Sequence, residues 1–198
     1  MGSAAERAGT ASALRDEAHA LLTRTRIFEL LSRSFTDPMV TGSASYDLMV
    51  RRDIDIHMAV DAGRYRDWMS FGATLVKFFD AIGMPLLRAQ YVNAWAGSHP
   101  LGGGLQWELG FNDEAGAAWQ VDLWGWDPFD YAVRQARDFS LKTDLEAVDR
   151  DLVLRLKTEA LARPRYYGVI VNAFDIYRFV IAGGGETLDA LERWQRAQ

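Results

Sequence analysis

The sequence predicts an α+β fold: a small mixed β-sheet with flanking helices, followed by a helical tail. Three observations carry this. Residues 53–60, Asp-Ile-Asp-Ile-His-Met-Ala-Val, alternate polar and apolar side chains with the period of a strand. Trp68, Phe71, Leu75, Phe78 and Phe79 then return at helical spacing. Beyond Asp127-Pro128 the strand-like segments stop and helical patterning takes over.

Residues 1–11 are small and polar and are expected to fray. Leu14, Ala18, Leu21, Leu22, Phe28, Leu31 and Phe35 then mark one helix over 12–35, ended by Asp37-Pro38 because a residue before proline avoids helical geometry. A short apolar stretch, Met39-Val40, runs into Gly42-Ser43. After the 53–60 strand, Asp61-Ala62-Gly63 breaks the chain and a helix over 64–82 stops at Gly83. Strands are predicted at 86–96, 104–112 and 117–124, with a loop through His99-Pro100 and Gly102-Gly103-Gly104. Asp113-Glu114-Ala115-Gly116 forms the hairpin turn between the last two strands. Helices are predicted over 131–161, 166–182 and 187–197. The expected division is a domain of residues 1–127, including the N-terminal helix, and a helical region of residues 128–198.

Composition narrows the function. The chain has 198 residues, of which 49% are hydrophobic and 25% charged, a globular mixture rather than a disordered one. Twenty-two basic against 27 acidic residues give a net charge of −5, which disfavours a long nucleic acid as partner. Without cysteine there is no disulfide framework, thiolate metal site or thiol nucleophile. The first twenty residues contain no apolar signal-like run, and the most apolar stretch, 166–182, is interrupted by Asn172, Asp175 and Arg178. A soluble, cytoplasmic protein with no membrane partner is expected.

The chemistry concentrates in three places. Asp53 and Asp55 stand two residues apart on one strand, so their carboxylates emerge on the same face. Like charges that close are unfavourable unless a cation lies between them, and oxygen donors suit magnesium or manganese. A pair of acids on a solvated strand edge is the plain alternative. Gly42-Ser43, nine residues earlier, offers a close-approaching backbone and a hydroxyl to a phosphate, or is simply a turn. Asp122 is an acid inside the apolar strand Trp119-Gln120-Val121-Asp122-Leu123-Trp124. A buried carboxylate wants a partner. Two readings stay open for it: a third member of the Asp53–Asp55 cluster, or an ion pair with Arg88 or another arginine.

Together these features resemble the nucleotidyltransferase superfamily with the DNA polymerase β-like fold. That pattern runs from a hydrophobic residue through Gly-Ser to Asp-hydrophobic-Asp-hydrophobic nine to thirteen residues on, with a third acid on a later strand. Here Val40-Thr41-Gly42-Ser43 precedes Asp53-Ile54-Asp55-Ile56, and Asp122 follows. The sequence departs from it at Thr41, where a bulky apolar residue is usual, and at Tyr46-Asp47, near which small-substrate members often carry Arg-Gly. The resemblance covers residues 39–124. It implies a minimal, small-substrate type of enzyme that transfers a nucleoside monophosphate from a triphosphate such as ATP to a hydroxyl of a small molecule or protein, releasing pyrophosphate. It also implies Asp53, Asp55 and Asp122 as catalytic and Mg²⁺- or Mn²⁺-holding residues, with Gly42 and Ser43 facing the phosphates; Lys142, in the helical tail, would reach a phosphate as well or lie on a charged helix face.

Weaker candidates are His57, beside Asp55 on the strand face; Arg51 and Arg52, ahead of the first acid; and Glu108, which would serve as a general base or face water. Asn172, Asp175 and Arg178 would contact the acceptor or form a polar helix face. The seven tryptophans are expected to be mostly packing, with Trp124 and Trp126 placed where a cleft would open. Two other functions remain: a non-catalytic nucleotide-binding or partner protein, and a sugar-nucleotide-dependent glycosyltransferase, for which only about fifty residues precede the acid motif.

Overall fold

The computed structural model describes residues 2–95 and 103–198. Ala96, at the end of a predicted strand, and His99, Pro100 and Gly102 of the predicted loop lie outside them. The elements run α1 (Ala4–Thr25), α2 (Ile27–Ser32), β1 (Thr36–Thr41), α3 (Gly42–Ser45), β2 (Asp53–Ala59), α4 (Tyr65–Ala81), β3 (Leu86–Asn93), β4 (Leu105–Asn112), β5 (Ala118–Trp126), α5 (Pro128–Glu146), α6 (Arg150–Ala162), α7 (Ala173–Ile181) and α8 (Leu188–Arg196). The five strands form one mixed sheet in the order β1-β2-β5-β4-β3. β2 and β5 pair in parallel and the other neighbours antiparallel. The mixed sheet with flanking helices is the architecture read from the sequence.

Alternation decides which residues face which layer. Ile54, Ile56 and Met58 of β2 and Val121 and Leu123 of β5 are almost fully buried, with Trp68, Leu75 and Phe79 of α4 and Leu14, Ala18 and Leu21 of α1 in the same core. Gly72 of α4 lets the sheet and helix meet, since a Cβ there would fall 2.3 Å from the Trp107 ring. A second core joins α6, α7 and α8 to Tyr46 and Leu48 of the loop after α3, and to Ala11 of α1. Arg7 fixes α1 to α6 by donating to both oxygens of Asp151, at 2.7 and 2.6 Å. The N-terminal helix thus packs on both sides of the boundary placed at 127/128.

Several helix limits differ from the sequence reading, each through a local polar group. Residues 4–11 are helical because Ser3 and Glu6 form a capping box, the hydroxyl accepting from the Glu6 amide and the carboxylate from the Ser3 amide. The single helix expected over 12–35 is two, parted at Arg26, whose φ of 56° is left-handed. The helix expected over 131–161 is also two, because the Asp149 carboxylate accepts from the Asp151 and Leu152 amides and starts α6 afresh. Asn172 and Asp175 form another capping box, so α7 begins at Ala173 rather than 166. Among the described residues no helix is long and apolar enough to cross a membrane.

Candidate active site

The parallel pairing of β2 with β5 sets Asp55 directly opposite Asp122 and Asp53 opposite Gln120. The antiparallel pairing of β4 with β5 sets Glu108 against Asp122 on the other side. Because facing residues in register share a sheet face, Asp53, Asp55 and Asp122 gather on one surface, opposite the face that carries Ile54 and Ile56. Thr41, the last residue of β1, pairs with Asp55, which delivers Gly42 to the same place. Gly42 has φ +64°, and a Cβ there would fall 2.5 Å from Asp55 Oδ2. Both the backbone conformation and the nearness of the carboxylate require glycine.

The three carboxylates are held under electrostatic load. Burial, reinforced by Asp53 and Asp122, pushes Asp55 well above the usual carboxylate range, against the pull of Arg51 and Lys157. Burial and then Asp53 push Asp122 up to about 7. The Gln120 amide donates to both Asp122 oxygens at 3.3 Å. Asp53 Oδ2 accepts from Arg51 Nε at 2.9 Å and also from Arg51 Nη2. Asp53 Oδ1 is buried without a hydrogen-bond partner. Among the described residues no three acid or imidazole side chains are closed tightly enough to grip an ion as they stand. A donor set made of oxygens, an orphaned buried carboxylate oxygen and mutual repulsion fit a hard divalent cation.

Beside Gly42 lies a group that the sequence reading missed. Lys157 of α6 is fully buried and donates to Ser43 Oγ at 2.7 Å, the Leu48 carbonyl at 2.5 Å and the Tyr177 hydroxyl at 2.9 Å. Three acceptors match the three N–H bonds of an ammonium. Burial pulls Lys157 down to about 7, while Asp53 and Asp55 pull it up. Its signal was visible: Val153, Leu154, Leu156 and Ala160 form the buried stripe of α6, and a lysine stands within it. Tyr167 was missed as well. It lies under Arg51, whose Cζ is 5.5 Å from the ring centre. Burial raises its hydroxyl, and Asp53 and Asp55 add to the shift.

The remaining candidates fall elsewhere. The Gly42 amide is engaged by Asp138, which also accepts from the Tyr46 hydroxyl. Lys142 is not among the carboxylates; it lines a cavity of about 670 Å³ behind α3, together with Arg15, His19, Asp47 and Arg150. Arg88 pairs with Glu108, at 2.8 and 3.1 Å, and not with Asp122. Arg52 pairs with Glu17 at 2.7 Å. Asn172 and Asp175 cap α7, and Arg178 lies over Trp194. His57 shares the face of Asp55 but packs against Trp126, with ring centres 5.6 Å apart. Trp124 and Trp126 are buried and stacked on one another, 4.8 Å apart, so this pair is packing.

No protein-family profile matches the sequence, and no curated protein matches it either. Solved structures do. The RNA terminal uridylyl transferase Cid1 superposes with a TM-score of 0.52 at 15% identity, covering 83% of this chain and 45% of its own. Cid1 poly(U) polymerase bound to MgATP gives 0.53 at 14% identity, over 83% and 48%. A cytoplasmic RNA terminal U-transferase gives 0.50 at 13% identity, over 83% and 46%. The chain therefore spans less than half the length of these structures. Its order of strands, its Gly-Ser corner and its three gathered acids accompany an architecture shared across 83% of its length, and the chain has the polymerase β-like nucleotidyltransferase fold.

Proposed function

We propose that the chain is a divalent-metal-dependent nucleotidyltransferase. It moves a nucleoside monophosphate from a nucleoside triphosphate to an acceptor hydroxyl: the acceptor oxygen bonds to the α-phosphorus, the α–β anhydride bond breaks, and pyrophosphate leaves with its electron pair. One observation carries the reading. Asp53, Asp55 and Asp122 converge from two parallel strands, with one buried Asp53 oxygen unsatisfied, directly beside a glycine-serine corner backed by a buried lysine.

Asp53, Asp55 and Asp122 would hold Mg²⁺ or Mn²⁺. Such ions neutralise charge on the transferring phosphoryl group and lower the pKa of a bound hydroxyl. Ser43 and Lys157 form the cationic wall for the β- and γ-phosphates, the charge coming from Lys157 and the position from its three fixed acceptors. Tyr167 offers a ring beside Asp53 and Asp55 for the nucleoside. Asp122, on the side of the pair that faces β4, would receive the acceptor proton. Catalysis of this kind is chiefly positioning and charge neutralisation.

The acceptor is proposed to be a small molecule or a protein side chain. The net charge of −5 supports this, since tracking a long polynucleotide calls for a basic surface. The fold neighbours described as uridylyl transferases act on RNA, so an RNA 3′-hydroxyl is the comparator. The test incubates the protein with each nucleoside triphosphate, Mg²⁺ or Mn²⁺, and three acceptor pools: hydroxylated metabolites, proteins and short RNA. Pyrophosphate and the mass of the modified acceptor are measured. Metal-dependent release that disappears in Asp53→Asn supports the reading. Metal-dependent triphosphate binding with no pyrophosphate from any pool would support a non-catalytic nucleotide-binding protein instead.

A further inference from the structure

Asp53 has two unlike oxygens. Oδ1 is buried with no partner, whereas Oδ2 carries Nε and Nη2 of Arg51 together. Arg51 lies two residues before Asp53, in the loop that leads into β2, and its side chain is 41% exposed against 19% for Asp53. The guanidinium is therefore held by a half-hidden carboxylate and lies over the Tyr167 ring, partly open to solvent. The other cation near the acids, Lys157, is fixed by three acceptors and fully buried. Of the two, Arg51 is the more exposed and has a single carboxylate oxygen to release.

A divalent ion approaching Asp53 meets an obstacle of this chain's own making. It must displace a charge-assisted pair from Oδ2 and then lie beside the displaced positive charge. Both penalties shrink if an anion arrives with the ion and takes the guanidinium in exchange. A triphosphate suits that exchange, because phosphate oxygens match the planar fork of arginine. Resting on the nucleotidyl-transfer reading, we infer that Arg51 is an exchangeable counter-ion: it occupies Asp53 Oδ2 in the nucleotide-free protein and passes to the triphosphate when a metal–nucleotide complex enters. Arg51 is a positioning residue in this scheme, and it makes metal and nucleotide binding mutually dependent.

Direct binding measurements on the full chain test this without relying on turnover. Free Mn²⁺ is followed by its paramagnetic resonance signal, with and without a non-hydrolysable ATP analogue. In Arg51→Gln, Mn²⁺ alone binds about tenfold tighter than in the unmodified protein, and the factor by which the analogue tightens Mn²⁺ falls by about tenfold. Arg51→Lys keeps the charge without the fork and gives intermediate values; it also substitutes for the glutamine variant should that fail to fold. Unchanged Mn²⁺ affinity in Arg51→Gln overturns the exchange. So does a gain that survives in Arg51→Gln/Asp53→Asn, since the ion would then be bound elsewhere. Failure of the underlying reading looks different: the unmodified protein would bind no Mn²⁺ even with the analogue present.

Discussion

Along β2 and β5 a single sheet face changes character within two residues. At one end Asp55 faces Asp122; at the other His57 faces Trp124 and Ala59 faces Trp126. α5 crosses the aromatic end, burying Tyr131 and laying Arg134 over Trp126 at 3.5 Å. The ionisable groups of both ends are withdrawn from water, and they respond in opposite ways. His57 is pushed down to about 3 by burial and by Arg134, so it stays neutral and packs as a ring. Asp55 and Asp122 are pushed up by burial and then by Asp53, one of whose own oxygens stays unpaired. The aromatic end is closed by ring stacking and by α5, and what it leaves unpaired is a neutral donor, the buried Trp126 Nε1–H. The carboxylate end is left in want of positive charge, which is the physical mark of a site prepared for a guest.

The largest expected effect separates the two ends most sharply. Asp55→Asn should lower nucleotidyl transfer by about a thousandfold, roughly 4 kcal/mol of barrier. The same change should raise the melting temperature in the presence of a chelator, because it removes one of three repelling acids. Pyrophosphate release and thermal unfolding check the two halves. A lower melting temperature would mean that Asp55 serves packing, as the aromatic end does. Trp126→Ala is the counterpart at that end. Losing a 1% exposed indole that contacts Trp124, His57 and Arg134 should destabilise the fold by about 3 kcal/mol in a denaturant titration. Transfer per folded molecule should be unchanged. A specific loss of activity would make the aromatic end part of the site.

Lys157 tests whether the helical half shares the unmet need of the carboxylates. Lys157→Met keeps the length of the side chain and removes a buried charge but strands the Leu48 carbonyl, so stability should fall by about 1–3 kcal/mol. Triphosphate affinity should fall by about tenfold, as expected for losing a buried positive charge that lies behind Ser43 rather than in direct contact with the phosphates. The unmodified protein should show a matching pH dependence. Above about 7 the free lysine loses its proton, and a bound triphosphate restores it by raising its pKa. Affinity should thus weaken as pH rises, and binding near pH 8 should take up a proton, measurable by calorimetry in buffers of different ionisation heat.

The strand half of the site was legible in the sequence and the helical half was not, for a physical reason. Asp53, Asp55 and their intervening isoleucines declare a strand and a face by period two alone, and Gly42-Ser43 falls at a spacing that brings the corner back to them. Asp122 was half legible: its burial called for a partner, and only the register of β5 against β2, rather than Arg88, decides which. Lys157 lies 114 residues from Ser43, and no local pattern links the two. The sequence reading singles out Lys142 and not Lys157, since both sit on helices after residue 127 and only packing distinguishes them. The breaks at Arg26 and at 147–149 went unread because each depends on one backbone or capping geometry within a continuing helical pattern.

The smallest effect offers the closest comparison, since both ends titrate in one pH window with opposite signs. Asp122 has a folded pKa near 7, above the roughly 4 of an unfolded aspartate, so the folded state binds the extra proton and stability falls as pH rises between these values. His57 has a folded pKa near 3, below the roughly 6.5 of an unfolded histidine. There the unfolded state binds the extra proton, and stability is lost as pH falls through that range. Each group contributes a slope of at most about 1.4 kcal/mol per pH unit, and in a metal-free Asp55→Asn background, which removes the other raised carboxyl, the two largely cancel between pH 5 and 6.5. Denaturant titrations in that background across that interval should uncover each in turn. Asp122→Asn should leave stability rising with pH, His57→Gln should leave it falling, and the double variant should be nearly flat. If both single variants tilted the same way, the two ends would not have answered burial in opposite senses, and the carboxylate end would lose its claim to be the open one.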